Sequence, residues 1–435
     1  MGVSLTEILK VVSHSSCILH GWQGLPEHLL SDLDIVVAPE DLPKLEANLL
    51  NLPNVQLVNL LQHESTCYYF VLAFREGKQL QFLPLDAAVD YRRNGRVWFS
   101  ADELLVGRRR WKEFWVASPE VEFKYLLVKK VLKGAVPEHS AERLKELVEE
   151  LGERAQELAM RLLGNQAGER AIRWVRTGDW EMFRRRIPEL QKMLKKQKLR
   201  QDPLNPFRFW LPEIKRIWRR WRYPTGLFIV VLGPDGAGKS TLIGHLEADL
   251  LGAFRRTARF HLMPGLFRRK DNGGPVTNPH GKPPRSFFAS LFKLGYYLLD
   301  YILGYWLKVR PALVKSTLVL FDRYYDDLLV DPRRYRYGGP VWLARFVARF
   351  IPKPDLFIFL DLPAEVAHTR KPEIPLEEAR KLRERYLELA RSLPNARVVD
   401  ASRPLGEVVA EVESIILYHM AARTEQRIRE MGLVG

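Results

Sequence analysis

The chain has 435 residues, 46% of them hydrophobic, enough for about three domains with ordinary buried cores. Its 68 lysines and arginines against 52 acidic residues give a formal net charge of +16. That balance suits nucleotides, nucleic acid or an acidic membrane as partners, a well-solvated basic surface explains it equally, and it is silent on fold. The two cysteines, Cys17 and Cys67, have no ligand spacing around them, which argues against a disulfide framework or a zinc site. The first residues lack a basic segment followed by an apolar run, so no signal peptide is expected and a reducing cytoplasm fits best.

Residues 1–135 mix short strands and helices. In "LHGWQGLPEHLLSDLDIVV", Gly21 and Trp22 precede Asp32 and Asp34 by a short spacer. Positions two apart on a strand face the same way, so both carboxylates can hold one Mg²⁺ or bridge two. A third carboxylate on a neighbouring strand would complete the set, and "LQFLPLDAAVDY" offers Asp86, with Asp90 as the alternative. Metals held in this way clamp the attacking and leaving oxygens in nucleotidyl transfer. The stretch from about 15 to 135 resembles the DNA polymerase β-like nucleotidyltransferases. That resemblance implies an α+β domain with Asp32, Asp34 and Asp86 as metal ligands. Trp22 stands where those proteins carry a small residue beside the triphosphate. The bland alternative is a strand with an exposed acidic face.

Residues 136–223 read as a helical connector. "AERLKELVEELGERAQELAMRLL" places apolar residues at helical spacing. Beyond it, Pro203, Pro206, Pro212 and Pro224 punctuate a linker. From Lys192 to Arg222 there are eleven basic residues and two acidic ones, interleaved with Phe207, Trp210, Trp218 and Trp221. This stretch, 192–222, could grip nucleic acid or an acidic bilayer. A packed aromatic helix with a solvated basic face is the simpler expectation.

Residues 224–435 alternate strand and helix signals, with "LFIVVL", "LVLFD", "LFIFLD" and "ARVVD" as buried strands. That is the pattern of an α/β domain, a parallel sheet flanked by helices. "VVLGPDGAGKSTL" fits the phosphate-loop pattern in Gly233, Gly238, Lys239 and Ser240. Glycines let backbone N–H groups turn onto phosphate oxygens, Lys239 reaches the β- and γ-phosphates, and the Ser240 hydroxyl takes Mg²⁺. Gly233, Asp235, Gly236, Ala237, Gly238, Lys239, Ser240 and Thr241 are therefore the expected nucleotide-binding residues, and ATP and Mg²⁺ the expected cofactors. Asp322, at the end of a buried strand, suits the metal or its water shell, and Arg323 beside it can hold an acceptor phosphate.

The stretch "FFASLFKLGYYLLDYILGYWLKV", 287–309, is long enough to span a bilayer. It lies between the phosphate loop and "FDRYYDD", which share a site, so a core or interfacial helix is expected instead. "GPDGAGKST", "DRY", "PDLFIFLDLPAEVAHTRKPE", "ERYLELA" and "RVVDASRPLGEVVAEV" together resemble the thymidylate kinase-like branch of the P-loop nucleoside monophosphate kinases, over about 225–425. The resemblance implies phosphoryl transfer from ATP to a nucleotide's phosphate. It puts Asp235 at the acceptor, Arg323 on its phosphate, and Arg370 and Lys371 in a lid over the transferring group.

The departures from that pattern fall on the acceptor side. Leu232 precedes the loop where thymidylate kinases usually carry Glu, "HLMPGLF" replaces an Arg-Glu-Pro-Gly-Gly stretch, and the residues that read thymine are not visible. "DDLLVDPRRYRYGG" adds Arg333, Arg334 and Arg336, which suggest an anionic small-molecule or glycan-type acceptor other than dTMP. Two alternatives stay open at this stage. One is a nucleotidyltransferase with a regulatory P-loop domain, and the other a non-catalytic nucleotide-gated binding protein on nucleic acid or membrane. Homo-oligomerisation also stays open.

Overall fold

A computed structural model describes residues 8–9, 11–12, 16–25, 33–77, 79–266 and 280–431. The chain divides into two compact units, 1–218 with 421–435, and 219–420.

The first unit is built on a mixed sheet of seven strands in the order β3-β4-β5-β2-β1-β9-β8. They are β1 (Ser16–Ile18), β2 (Leu33–Val37), β3 (Val55–Gln62), β4 (Cys67–Glu76), β5 (Gln79–Ala88), β8 (Arg109–Trp111) and β9 (Phe114–Val116), with a separate ribbon of β6 (Tyr91–Arg93) and β7 (Arg96–Phe99). In β2 the side chains alternate between two cores, as strand geometry requires. Ile35 and Val37 join Leu45 and Leu49 of helix α1 (Leu42–Leu50), whereas Val36 joins Leu126 and Val128. Those last two lie on α3 (Pro119–Lys133), which follows the short α2 (Ala101–Leu105).

The expected connector belongs to this unit. Helices α4 (Glu138–Leu151), α5 (Glu153–Leu163), α6 (Asn165–Thr177) and α7 (Trp180–Gln201) share one core with α3, through Leu144, Leu158, Ile172, Phe183 and Leu194. The expected linker is helical as well, as α7 continues to Gln201 and α8 covers Asn205–Arg222. Pro212 sits inside α8 and cannot donate to the carbonyl of Arg208. Arg92 Nη1 donates to that oxygen instead, at 3.2 Å, which answers the defect that the proline creates.

The second unit holds a parallel five-stranded sheet in the order β11-β12-β10-β13-β14. Its strands are β10 (Leu227–Leu232), β11 (Arg256–His261), β12 (Thr317–Asp322), β13 (Leu356–Asp361) and β14 (Ala396–Asp400). The apolar runs of β10 and β12 are buried throughout, as expected of strands covered on both faces. β14 departs from its expected burial, since it is an edge strand with mostly exposed side chains. β11 escaped the sequence reading because "RTARFH" has the polar alternation of an edge.

Around this sheet run α9 (Lys239–Asp249), α10 (Phe287–Gly304), α11 (Arg310–Val314), α12 (Asp326–Val330), α13 (Val341–Ala348), α14 (Ala364–Arg370) and α15 (Leu376–Ser392), and α16 covers Leu405–Glu430. In α10 the expected core role is half met. Leu294, Tyr297 and Tyr301 are buried, whereas Phe288 and Phe292 are exposed. Its Asp300 is fully buried and accepts from the N–H groups of Gly265, at 2.9 Å, and Leu266, at 2.6 Å. Among the described residues no helix is long and apolar enough to cross a membrane.

The chain passes from β10 to β11 and β12 on one side, then to β13 and β14 on the other. The order therefore reverses at β10, and the crevice beyond the carboxyl ends of β10 and β12 is where such sheets bind ligands.

Candidate active site

The phosphate loop joins β10 to α9. Gly233 (φ +146°), Gly236 (φ +84°) and Gly238 (φ +85°) adopt backbone angles that other residues rarely reach. A Cβ on Gly233 would lie 2.6 Å from the carbonyl oxygen of Leu360, so this position also needs glycine for space. The loop ends at the first turn of α9, whose free N–H groups and dipole favour a bound anion. Ala237 is buried within the loop and donates to Pro234 O at 3.3 Å. Lys239 is buried, and its Nζ donates to the carbonyls of Gly233 (2.9 Å) and Pro234 (2.8 Å). Burial, helped by the nearby Arg323 guanidinium, pushes its pKa down to about 8.

Ser240 Oγ donates to Asp322 Oδ2 at 2.7 Å. The two residues expected to hold the metal therefore meet, from the helix start and the end of β12. A hydroxyl and a carboxylate beside a phosphate cradle are the oxygen donors Mg²⁺ takes, with substrate phosphate and water completing its shell. Thr241 follows on the exposed side of the same turn.

Opposite the loop, Arg323 has a left-handed backbone (φ +73°), uncommon outside glycine. Its surroundings over-determine that conformation. The backbone N–H donates to Val231 O at 3.1 Å, and Nη1 donates to Asp327 Oδ2 at 2.7 Å. Nη2 pairs with Asp235 Oδ1, and Arg334 pairs with Asp235 Oδ2. Asp327 is fully buried and accepts from the hydroxyls of Tyr335, at 2.6 Å, and Tyr386.

Burial alone would raise both carboxyl pKa values. Arg323, with Lys239 and Arg334, instead holds Asp235 well below the usual carboxylate range. Arg323 and the two tyrosine hydroxyls likewise lower the pKa of Asp327. Sequence reasoning missed Asp327, Tyr335 and Tyr386. The signal was the second carboxylate of "YYDD", which falls one helical turn beyond Arg323.

The expected lid residues lie at the loop. Arg370 Nη1 donates to Gly236 O at 3.4 Å, and a Cβ on Gly236 would lie 3.6 Å from that of Lys371. Lys371 pairs with Glu373 at 2.8 Å. The cleft beside them is lined by Asp235, Arg323, Arg334, His368, Lys371 and Tyr386. Of the other arginines expected to face an acceptor, Arg336 donates through Nε to Pro283 O, and neither it nor Arg333 lines this cleft.

In the first unit, Asp34 and Asp86 are direct partners on the parallel neighbours β2 and β5. Asp32 lies outside the described residues. Asp34 pairs with Lys129 Nζ and, at 2.8 Å, with His20 Nε2. Burial opposes its ionisation, yet these two neighbours keep its pKa far below the ordinary value. Asp86 Oδ1 accepts from Cys67 Sγ at 2.8 Å. Among the described residues no three potential ligands gather to hold a metal. A lysine ammonium pairs with Asp34 where a divalent ion would otherwise balance the carboxylate charge. Asp90, the alternative third carboxylate, is engaged by Arg92. Trp22 is buried in the core, packed on Trp111.

A glycine-rich loop at the switch point of a parallel sheet, with Lys239 inside it and Ser240 joined to Asp322, defines the second unit as a P-loop kinase. A sequence profile described as thymidylate kinase matches residues 286–412. A thymidylate kinase of Leifsonia xyli subsp. xyli is 33% identical over 204 residues, covering 43% of this chain and 92% of the relative. One of Thermomicrobium roseum is 33% identical over 208 residues, 42% and 90% of the two chains. A probable thymidylate kinase of Pyrobaculum calidifontis is 29% identical over 211 residues, 45% and 98%. Through this unit the chain belongs to the thymidylate kinase family, with more than half of its length outside those matches.

Proposed function

We propose that the second unit transfers the γ-phosphoryl group of ATP to the phosphate of an anionic acceptor, with Arg323 and Arg334 holding that phosphate. The observation that carries this reading is the convergence of both guanidiniums on Asp235 of the phosphate loop. Planar guanidiniums match phosphate oxygens in pairs, and an acceptor phosphate competes with the carboxylate for them. An acceptor oxygen attacks the γ-phosphorus, the bond to the β-phosphate oxygen breaks, and ADP leaves. Mg²⁺, held through Ser240 and Asp322, supplies charge neutralisation on the phosphates when bound. Lys239, Arg370 and Lys371 place positive charge around the transferring group.

The acceptor is not dTMP in this reading. Arg334 stands in the stretch that departs from the family pattern, and it adds a cation on the acceptor side. The first unit is an appended nucleotidyltransferase-like domain, supported by the adjacency of Asp34 and Asp86. It holds substrate rather than transferring nucleotide, since Lys129 already neutralises Asp34. The test is transfer from γ-labelled ATP to a panel of nucleoside monophosphates, sugar phosphates and lipid-linked phosphates, with wild type and Arg334→Ala. An acceptor better than dTMP, lost in Arg334→Ala, supports the assignment. If dTMP is the best acceptor and Arg334→Ala is silent, the assignment is wrong.

A further inference from the structure

Helix α8 packs the wrong way round for a globular protein. Its buried residues include the polar Asn205 and Glu213, beside Phe209. The Asn205 side chain bonds both backbone groups of Val97, at 3.0 and 2.9 Å. Glu213 is 3% exposed, accepts from the Ser65 N–H and is paired with Arg216 at 2.7 Å. The apolar residues face out instead. Phe207 is 67% exposed, Leu211 70%, Ile214 62% and Trp218 67%, with Trp210 and Ile217 also exposed. At about 100° per residue, Asn205, Phe209 and Glu213 share one arc and the apolar residues form a continuous stripe on the opposite arc. Surface helices of soluble proteins do the reverse.

Beside the stripe runs a basic flank of Arg208 and Lys215, with Arg219 and Arg222 following in the same arc. Both acidic residues of 192–222 are engaged, Glu213 by Arg216 and Asp202 by Arg208. We propose that α8 seats the protein on an anionic lipid bilayer, with Phe207, Trp210, Leu211, Ile214 and Trp218 in the headgroup–acyl boundary and the basic flank on the lipid phosphates. The composition of the two arcs selects this occupant. An apolar stripe with tryptophans, edged by lysine and arginine, matches a helix lying in the plane of the interface. A second copy of the chain would bring an equally basic flank into a two-fold contact, where like charges repel. Single-stranded nucleic acid uses spaced aromatic platforms, whereas here Leu211, Ile214 and Ile217 fill the space between the tryptophans. The inference is independent of the kinase assignment.

The experiment is co-sedimentation of the full chain with vesicles of pure phosphatidylcholine and of phosphatidylcholine mixed with phosphatidylglycerol. Wild type should bind the anionic vesicles, bind the neutral ones weakly, and release as salt rises. The triple variant Phe207→Ser, Leu211→Ser, Trp218→Ser changes only exposed side chains, and should partition at least roughly tenfold less at an unchanged melting temperature. The charge reversal Arg208→Glu with Lys215→Glu leaves the apolar stripe intact, and should also lower binding to anionic vesicles by roughly tenfold or more. The proposal is overturned if wild type ignores anionic vesicles, if it binds both lipids equally, or if both variants bind as wild type. It is equally overturned if the chain binds a single-stranded oligonucleotide through α8 and no vesicles.

Discussion

Replacing Asp327 with Asn is the sharpest probe of how the acceptor side is held together. The side chain keeps its shape and loses its charge. Arg323 is 5% exposed and currently faces two carboxylates, Asp327 and Asp235. Taking one partner from a buried ion pair costs about 3–5 kcal/mol, because the other charge stays buried. Asp235 remains, so the lower end applies, about 3 kcal/mol. The amide can keep its oxygen toward Arg323 and Tyr335 and turn its NH₂ toward the Tyr386 oxygen, so no donor need face a donor. For a unit of this size each kcal/mol moves the melting temperature by about 2–4 °C, so a fall of about 6–12 °C is expected.

Scanning calorimetry reads this directly, with the transition of the second unit identified in wild type by its upward shift in ATP·Mg²⁺. Tyr335→Phe and Tyr386→Phe each remove one hydrogen bond to the same carboxylate, and should cost less, roughly 1.5 kcal/mol each. The pH dependence has a defined sign. Asp327 ionises in the folded state below its ordinary 3.8, so its stabilisation is present at neutral pH and is lost as pH falls below about 4. Asp327→Asn should therefore flatten the acid limb of the stability curve. A melting temperature within a degree of wild type would refute the reasoning, since Arg323 would then not depend on Asp327.

Two further predictions concern the cations. Burial lowers Lys239 to about 8, and bound phosphates would restore its charge, so ATP binding should take up a proton above pH 8. Affinity should then fall by up to about tenfold per pH unit between 8 and 10, measured by calorimetry in two buffers, and a flat profile with no proton uptake would contradict this. In the first unit, Lys129→Met removes the ammonium from Asp34 beside Asp86. Mn²⁺ affinity, read by electron paramagnetic resonance, should rise above that of wild type, and equal affinities would mean that Lys129 does not guard these carboxylates.

The donor half was legible because its chemistry is local. Gly233 to Thr241 lie in one loop, and the positive φ angles that the loop requires are written as glycines. Apolar runs such as "LFIVVL" marked the buried strands for the same reason. The acceptor half was less legible because it is assembled from a distance. Asp327 gathers Arg323, Tyr335 and Tyr386 from separate elements, and only Arg323 announced itself, by standing beside Asp322. Pro212 punctuates the sequence like a linker residue yet stands inside α8, because Arg92, far off in the chain, donates to the carbonyl that the proline leaves without a donor, and no local pattern records that. The metal reading met Lys129 in the same way. The two-residue spacing of Asp32 and Asp34 describes one strand, whereas the cation that meets Asp34 comes from a helix nearly a hundred residues later.

The proposed phosphoryl transfer runs through the phosphate loop of the second unit. It is tested most directly by the rate of γ-phosphoryl transfer from ATP to the best acceptor of the panel, in wild type, Lys239→Ala and Asp34→Ala. Lys239 donates to two loop carbonyls and lies 3.9 Å from Asp235 Oδ1, all partners within the loop, so its truncation should leave circular dichroism unchanged while slowing transfer roughly a hundredfold or more. Asp34→Ala should leave transfer near the wild-type rate. Undiminished transfer by Lys239→Ala, or its loss in a folded Asp34→Ala protein, would mean that transfer does not run through this loop.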